Sequence, residues 1–118
     1  LYDLDSYGLT EDLVDHDTIQ RAMDECAYFR SLCRNETFRK KLGANILRIG
    51  REYLNPERIA GVIGPYKALM ADPMKVYFQR FFNADTTKFY RRLDSNQAFF
   101  NGRLEVMERL LAEHDMLP

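Results

Sequence analysis

Residues 35–56 read NETFRKKLGANILRIGREYLNP, and their periodicity decides the fold class. Phe38, Leu42, Ile46, Ile49 and Tyr53 recur at steps of four, four, three and four, the spacing that lines one face of an α-helix. A break near Asn35 precedes this helix, and Asn55-Pro56 restarts the chain after it, with Asn as the cap and Pro at the first helical position. Gly43 and Gly50 fall inside the helix, where each costs about 1 kcal/mol relative to Ala, a cost that is tolerable if another backbone approaches closely there. The outer face is basic: Arg34, Arg39, Lys40, Lys41, Arg48 and Arg51 stand against Glu36 alone before Glu52. Most such faces are simply solvated. As a contiguous positive patch it is also the chain's best candidate for an anionic partner, whether acidic protein, lipid headgroup or phosphate, unless the chain's own acidic arm cancels it.

Towards the amino end, a helix is predicted from Asp17 or Thr18, with Asp17 as N-cap and Gln20 in capping-box position. Ile19, Ala22, Met23, Cys26, Ala27, Phe29 and Cys33 give it an apolar face running through to the second cysteine. Residues 1–17 differ from the rest. They carry Asp3, Asp5, Glu11, Asp12, Asp15 and Asp17, with no Lys or Arg before Arg21, and scatter Leu4, Tyr7, Leu9, Leu13 and Val14 without helical period. They read as an extended acidic arm with a short turn at Gly8, either solvated or docked on a basic surface.

Towards the carboxyl end, Gly64-Pro65 and Asp72-Pro73 punctuate the chain, so residues 55–73 read as three short pieces forming a corner. Eight of the fifteen aromatics then fall between 77 and 100, in the doublets Tyr77-Phe78, Phe81-Phe82, Phe89-Tyr90 and Phe99-Phe100. Helical neighbours point about 100° apart, so each doublet widens the apolar face and suits an interface as well as a core. Asp85 and Asp94 stand as N-caps, and a last helix over 95–114 has its stripe at Phe100, Leu104, Met107 and Leu111. The expected fold is all-α: one small multi-helix domain over 1–118, with an acidic extended arm (1–17), a helical core (18–73) and an aromatic-rich C-terminal helical extension (74–118).

Composition excludes several classes of function. With 46% hydrophobic and 30% charged residues the chain is a folding one, and its net charge of −1 gives no bulk attraction to nucleic acid. No uncharged stretch approaches the roughly 20 apolar residues that span a bilayer. The chain opens on Leu1 rather than Met, which leaves a processed leader open. Cys26 and Cys33 are two helical turns apart, too far for a bridge within one straight helix, and no zinc spacing surrounds them. His16 and His114 sit beside no nucleophile or ligand set, and no phosphate loop, nucleophile elbow or His-Glu-x-x-His occurs. No catalytic residue, metal or cofactor is expected.

Several short motifs, taken in order, resemble the 14 kDa matrix-side subunit family of mitochondrial ubiquinol–cytochrome c reductase, respiratory complex III. They are Gly8-Leu9-Thr10-Glu11-Asp12-Leu13, Ile19-Gln20-Arg21-Ala22-Met23, Arg39-Lys40-Lys41-Leu42-Gly43-Ala44, Glu52-Tyr53-Leu54-Asn55-Pro56 and Pro65-Tyr66-Lys67. The chain departs from the family in lacking a Leu-Pro at the end of the first helix, in the Asn before Pro56, and in the aromatic tail. The resemblance implies a non-catalytic accessory subunit without cofactor. It would be peripheral to the mitochondrial inner membrane on its matrix side, held by cytochrome b and the core subunits, with no nucleic acid among its partners. Gly8, Leu9, Asp12 and Leu13 would be its docking segment, and Tyr53 and Leu54 a second landmark. Arg39, Lys40, Lys41 and Arg48 of the basic face, with anionic lipid headgroups a further partner, and Phe78 and Phe82 of the tail complete the expected contacts. The alternatives are an accessory subunit of another inner-membrane respiratory or ATP synthase complex, and a free-standing binder of nucleic acid or acidic protein.

Overall fold

Asp17 starts the first helix as its sequence predicts: in a computed structural model that describes residues 9–118, its carboxylate accepts from the amides of Ile19 (3.0 Å) and Gln20 (2.8 Å). Gln20 does not close a capping box; its side chain turns forward to Asp24 at 2.9 Å. The helix is also shorter than expected. α1 (Thr18–Glu25) ends at Cys26, whose backbone is extended (φ −123°, ψ 100°), and α2 (Ala27–Leu32) begins there. Arg30 makes the break tolerable by donating to the carbonyls of Met23 (2.7 Å) and Asp24 (2.9 Å), which the helix no longer satisfies. Beyond it, Phe29 meets Phe38 edge-on at 6.5 Å and Cys33 is buried.

α3 (Glu36–Glu52) is capped by Asn35, which accepts from the Phe38 amide at 3.0 Å. Its buried edge is Gly43 and Leu47; Phe38, Leu42 and Ile46 are half-buried, while Ile49 and Tyr53, expected inside, are exposed. The reason lies at Gly43. A Cβ there would stand 1.8 Å from the carbonyl oxygen of Met116, so α3 turns this edge towards the chain end. The close backbone approach that makes a helical glycine tolerable occurs at Gly43, whereas Gly50 faces a side chain, Leu104 Cδ1, 2.8 Å from where its Cβ would be.

Asn55 and Pro56 start α4 (Pro56–Phe82) as predicted, Asn55 accepting from the Arg58 amide at 2.9 Å. The three pieces expected over 55–73 are instead one unbroken 27-residue helix with Pro65 and Pro73 inside it. Each proline removes one amide from the ladder and crowds the carbonyl four residues back, a local cost that kinks a helix without having to end it. Asn83, left-handed at φ 46°, closes α4. α5 (Thr87–Glu113) then runs back antiparallel as a single helix, starting eight residues before the expected Ser95. Neither predicted cap holds: Thr86 is the N-cap of α5, Asp85 one residue before it accepts from the Thr87 amide at 2.9 Å, and Asp94 lies within α5 and pairs across to Lys67 of α4. Tyr66 with Phe89, and the Gln97 amide donating to the Pro56 carbonyl at 3.2 Å, tie the rest of the hairpin.

The core is small and lies at one end. Ile19, Leu47, Leu110, Leu111 and Met116 form it, with Met23, Leu42, Ile46, Val106, Met107 and Leu117 packed around them. Met116 gets there because Asp115 is left-handed (φ 52°) and folds the last residues back, the Met116 amide bonding to Leu111 at 2.7 Å. The expected arm is described only from Leu9 onward, so its turn at Gly8 lies outside the described residues. From Leu9 it is a strap over α5 with a 3-10 turn at Glu11–Leu13. Glu11 donates its amide to Ser95 Oγ (3.1 Å), Asn96 donates to the Leu9 carbonyl, and Arg103 donates to the carbonyls of Val14 and His16. No strand occurs among the described residues, and the molecule measures 53 × 28 × 22 Å.

Candidate functional site

The residues singled out by sequence fall in separate places. Leu9, Asp12 and Leu13 are exposed on the strap; Gly8 lies outside the described residues. Tyr53 and Leu54 are exposed at the α3–α4 corner, where the Arg58 guanidinium sits 5.4 Å above the Tyr53 ring. Phe78 and Phe82 are at the far end of α4, about 36 and 42 Å from Leu54 at 1.5 Å of helical rise per residue. Phe78 is half-buried and Phe82 exposed, their rings 5.6 Å apart and both in contact with Tyr77.

The basic face of α3 is largely spent inside the molecule. Arg39 and Lys40 grip Asp115 at 2.8 and 2.9 Å, Arg48 pairs with Glu52 at 3.1 Å, and Arg51 with Glu108 at 2.6 Å. The hydrogen bonds from Lys40 and then Arg39 hold the Asp115 carboxyl below its ordinary value. Among the described residues the cancellation comes from the chain end, α5 and Glu52 of α3 itself, and Lys41 is exposed with no carboxylate beside it; Asp3 and Asp5 of the arm lie outside the described residues.

The titratable groups elsewhere are structural in their contacts. His114 Nε2 lies 2.8 Å from Asp17 Oδ2, joining the end of α5 to the cap of α1. Burial pushes the Asp17 carboxyl up, but the Gln20 amide, the His114 ring and the Ile19 amide outweigh it and hold it low. Burial pushes the Arg103 guanidinium down, opposed by Asp17 and Asp15, while its hydrogen bonds hold the strap. Burial raises the Cys33 thiol, with Arg39 opposing, which disfavours its thiolate. Cys26 and Cys33 are free thiols. No cluster of three or more His, Cys, Asp or Glu able to hold a metal occurs among the described residues. The hollows at Lys75, Gln79 and Asn83–Thr86, and at Thr10, Lys88, Arg91, Arg92 and Ser95, open to solvent.

The feature that sequence reasoning missed is the outer side of α4. One stripe of this helix, Ile59, Ile63, Lys67, Met70, Met74 and Phe78, is half-buried. A second stripe, Arg58, Val62, Pro65, Leu69, Pro73, Val76 and Arg80, steps by four, three, four, four, three and four residues and is exposed throughout. Val62 is 65% exposed, Leu69 74% and Val76 63%; beyond them Phe81 and Phe82 stand at 63% and 60%. Reading Pro65 and Pro73 as helix ends hid the period that links these residues. The same segment concentrates charge: residues 56–93 hold seven Lys or Arg against three carboxylates. Arg58, Lys75, Arg80, Lys88, Arg91 and Arg92 have no ion pair among the described residues, in contrast to the cations of α3.

The fold and surface define a small all-α protein with a helical hairpin projecting from its core. The chain matches no family model, no curated protein and no solved structure.

Proposed function

We propose that this chain is a non-catalytic accessory subunit that completes its surface by docking on a larger assembly. One observation carries the reading. Among the described residues, thirteen large apolar side chains are exposed while seven hydrophobic residues are buried, and 27-residue α4 contributes nothing to the buried set. Of the thirteen, Val62, Leu69 and Val76 share one face of α4, and an apolar face of this kind left uncovered marks an interaction surface.

The assembly we propose is respiratory complex III, with the chain peripheral to the mitochondrial inner membrane on the matrix side against cytochrome b and the core subunits. The ordered motifs from Gly8 to Pro56 support this choice. So does the position of Leu9, Leu13, Tyr53 and Leu54, which are exposed rather than consumed by the chain's own core. No helix of the described residues is long and apolar enough to cross a membrane, which agrees with a peripheral attachment.

The test is co-purification of tagged full chain from mitochondria, with the recovered subunits identified by mass. Recovery of cytochrome b and the core subunits is the expected result. Recovery of a different respiratory or ATP synthase complex would reassign the assembly, and a monodisperse chain bringing down no membrane subunits would overturn the docking role itself.

A further inference from the structure

We propose that the outer stripe of α4 lies on an anionic phospholipid surface, with its axis in the plane of the membrane. The proposal rests on the reading of this chain as a docking subunit and names what covers one of its faces. Val62, Pro65, Leu69, Pro73 and Val76 form an aliphatic band with Arg58 and Arg80 at its two ends. An interfacial helix has this construction, burying apolar side chains at the headgroup–acyl boundary while cations reach anionic headgroups. Tyr77, next to Val76 and at the edge of the band, supplies an aromatic ring, which favours the headgroup–acyl boundary. Lys75, next to Val76 and without an ion pair among the described residues, adds positive charge at the carboxyl end of the band.

Charge separates this occupant from the others. A second copy packed on the stripe antiparallel would set Arg58 against Arg80 at both ends, and a parallel copy would set each against itself. Nucleic acid would use the cations and rings but gains nothing from a band of Val, Leu and Pro, which offer no face for stacking. An anionic bilayer satisfies both the band and the cations around it.

The prolines indicate the depth. Without amides at Pro65 and Pro73, the carbonyls of Gly61 and Leu69 lose their i+4 donors, and hydrocarbon offers no replacement. A hydrated headgroup layer does, so α4 rests at the surface and does not enter the bilayer core.

The experiment is flotation of the full chain with vesicles of phosphatidylcholine alone and with a third of phosphatidylglycerol added. Binding to the mixed vesicles is expected to be at least about tenfold tighter, and to weaken as salt screens the headgroups. Leu69→Glu is expected to remove most of that binding with unchanged far-ultraviolet circular dichroism, because Leu69 already faces solvent. The chain has no Trp, so Val76→Trp adds a single reporter whose emission shifts to the blue on the vesicles. The proposal is overturned by equal binding of wild type and Leu69→Glu, by tighter binding of a single-stranded oligonucleotide than of the mixed vesicles, or by a dimer that Leu69→Glu dissociates. Absence of vesicle binding in a chain that still co-purifies with complex III overturns the lipid surface and leaves the docking role standing; failure of both overturns both.

Discussion

Gly43 is the residue on which two distant parts of the chain depend. Its missing Cβ is the space occupied by the Met116 carbonyl, and the obstacle is backbone, which cannot rotate away as a side chain can. Gly43→Ala is therefore expected to lower stability by about 2 kcal/mol, overpacking outweighing the better helix propensity of Ala. Denaturant unfolding would read it, and an unchanged or raised midpoint would refute the tight approach. Gly61→Ala is the control, since nothing lies within 4 Å of its added Cβ, and about 1 kcal/mol of stabilisation is expected there. Asp17 carries a pH dependence. Its carboxyl is held below its ordinary value, so the charged form favours the folded state. That contribution is complete above the unfolded carboxylate pKa of about 3.9 and is lost as pH falls through the lower folded value. Asp17→Asn keeps a cap but not the titration, and should lose less stability than wild type between about pH 4 and pH 2 in acid unfolding curves.

At the scale of elements, the helices whose ends are marked by capping chemistry were legible. Asp17 and Asn55-Pro56 state where α1 and α4 begin, because a side chain accepting a first-turn amide is a local interaction. The ends that depend on distant groups were not. Cys26 opens a break that Arg30 stabilises from the next helix, and Asp94 looks like a cap until Lys67 of α4 is seen to claim it. Pro65 and Pro73 misled for a related reason. A proline signals the loss of one amide, but whether a helix ends there depends on what its flanks pack against, here α5, which meets α4 at Pro56, Tyr66 and Lys67. The prolines should consequently be a local burden on α4. Pro65→Ala and Pro73→Ala restore an amide each and are expected to raise the thermal midpoint, by up to about 3 kcal/mol of stability apiece before the unfolded chain's gain in freedom is subtracted. A lowered midpoint would mean that the kinks are needed for packing on α5.

At the scale of the whole molecule, the buried core and the exposed apolar stripe of α4 are carried by different elements. The core draws on α1, α3, the second half of α5 and the folded-back terminus, and takes no buried residue from α4. The candidate site was only half legible for this reason. The exposed Leu and Tyr of the strap and corner could be named one by one, but a face is unpartnered only with respect to a completed core. The division has a measurable consequence in hydrogen exchange. Amides around Leu47 and Leu110–Leu111 sit among side chains that open only when the core does, so they should exchange at the rate of global unfolding. Amides from Lys75 to Phe82 lie in a helix with one half-buried stripe and two interruptions upstream, and should exchange by local opening, faster by orders of magnitude. Met116→Ala sharpens the contrast: emptying the site of a side chain only 1% exposed should cost about 2–5 kcal/mol and accelerate the core amides while leaving those of the hairpin tip nearly unchanged. Equal acceleration at both ends would mean that α4 and the core open as one unit, and the hairpin would then be part of the folding nucleus rather than a surface carried by it.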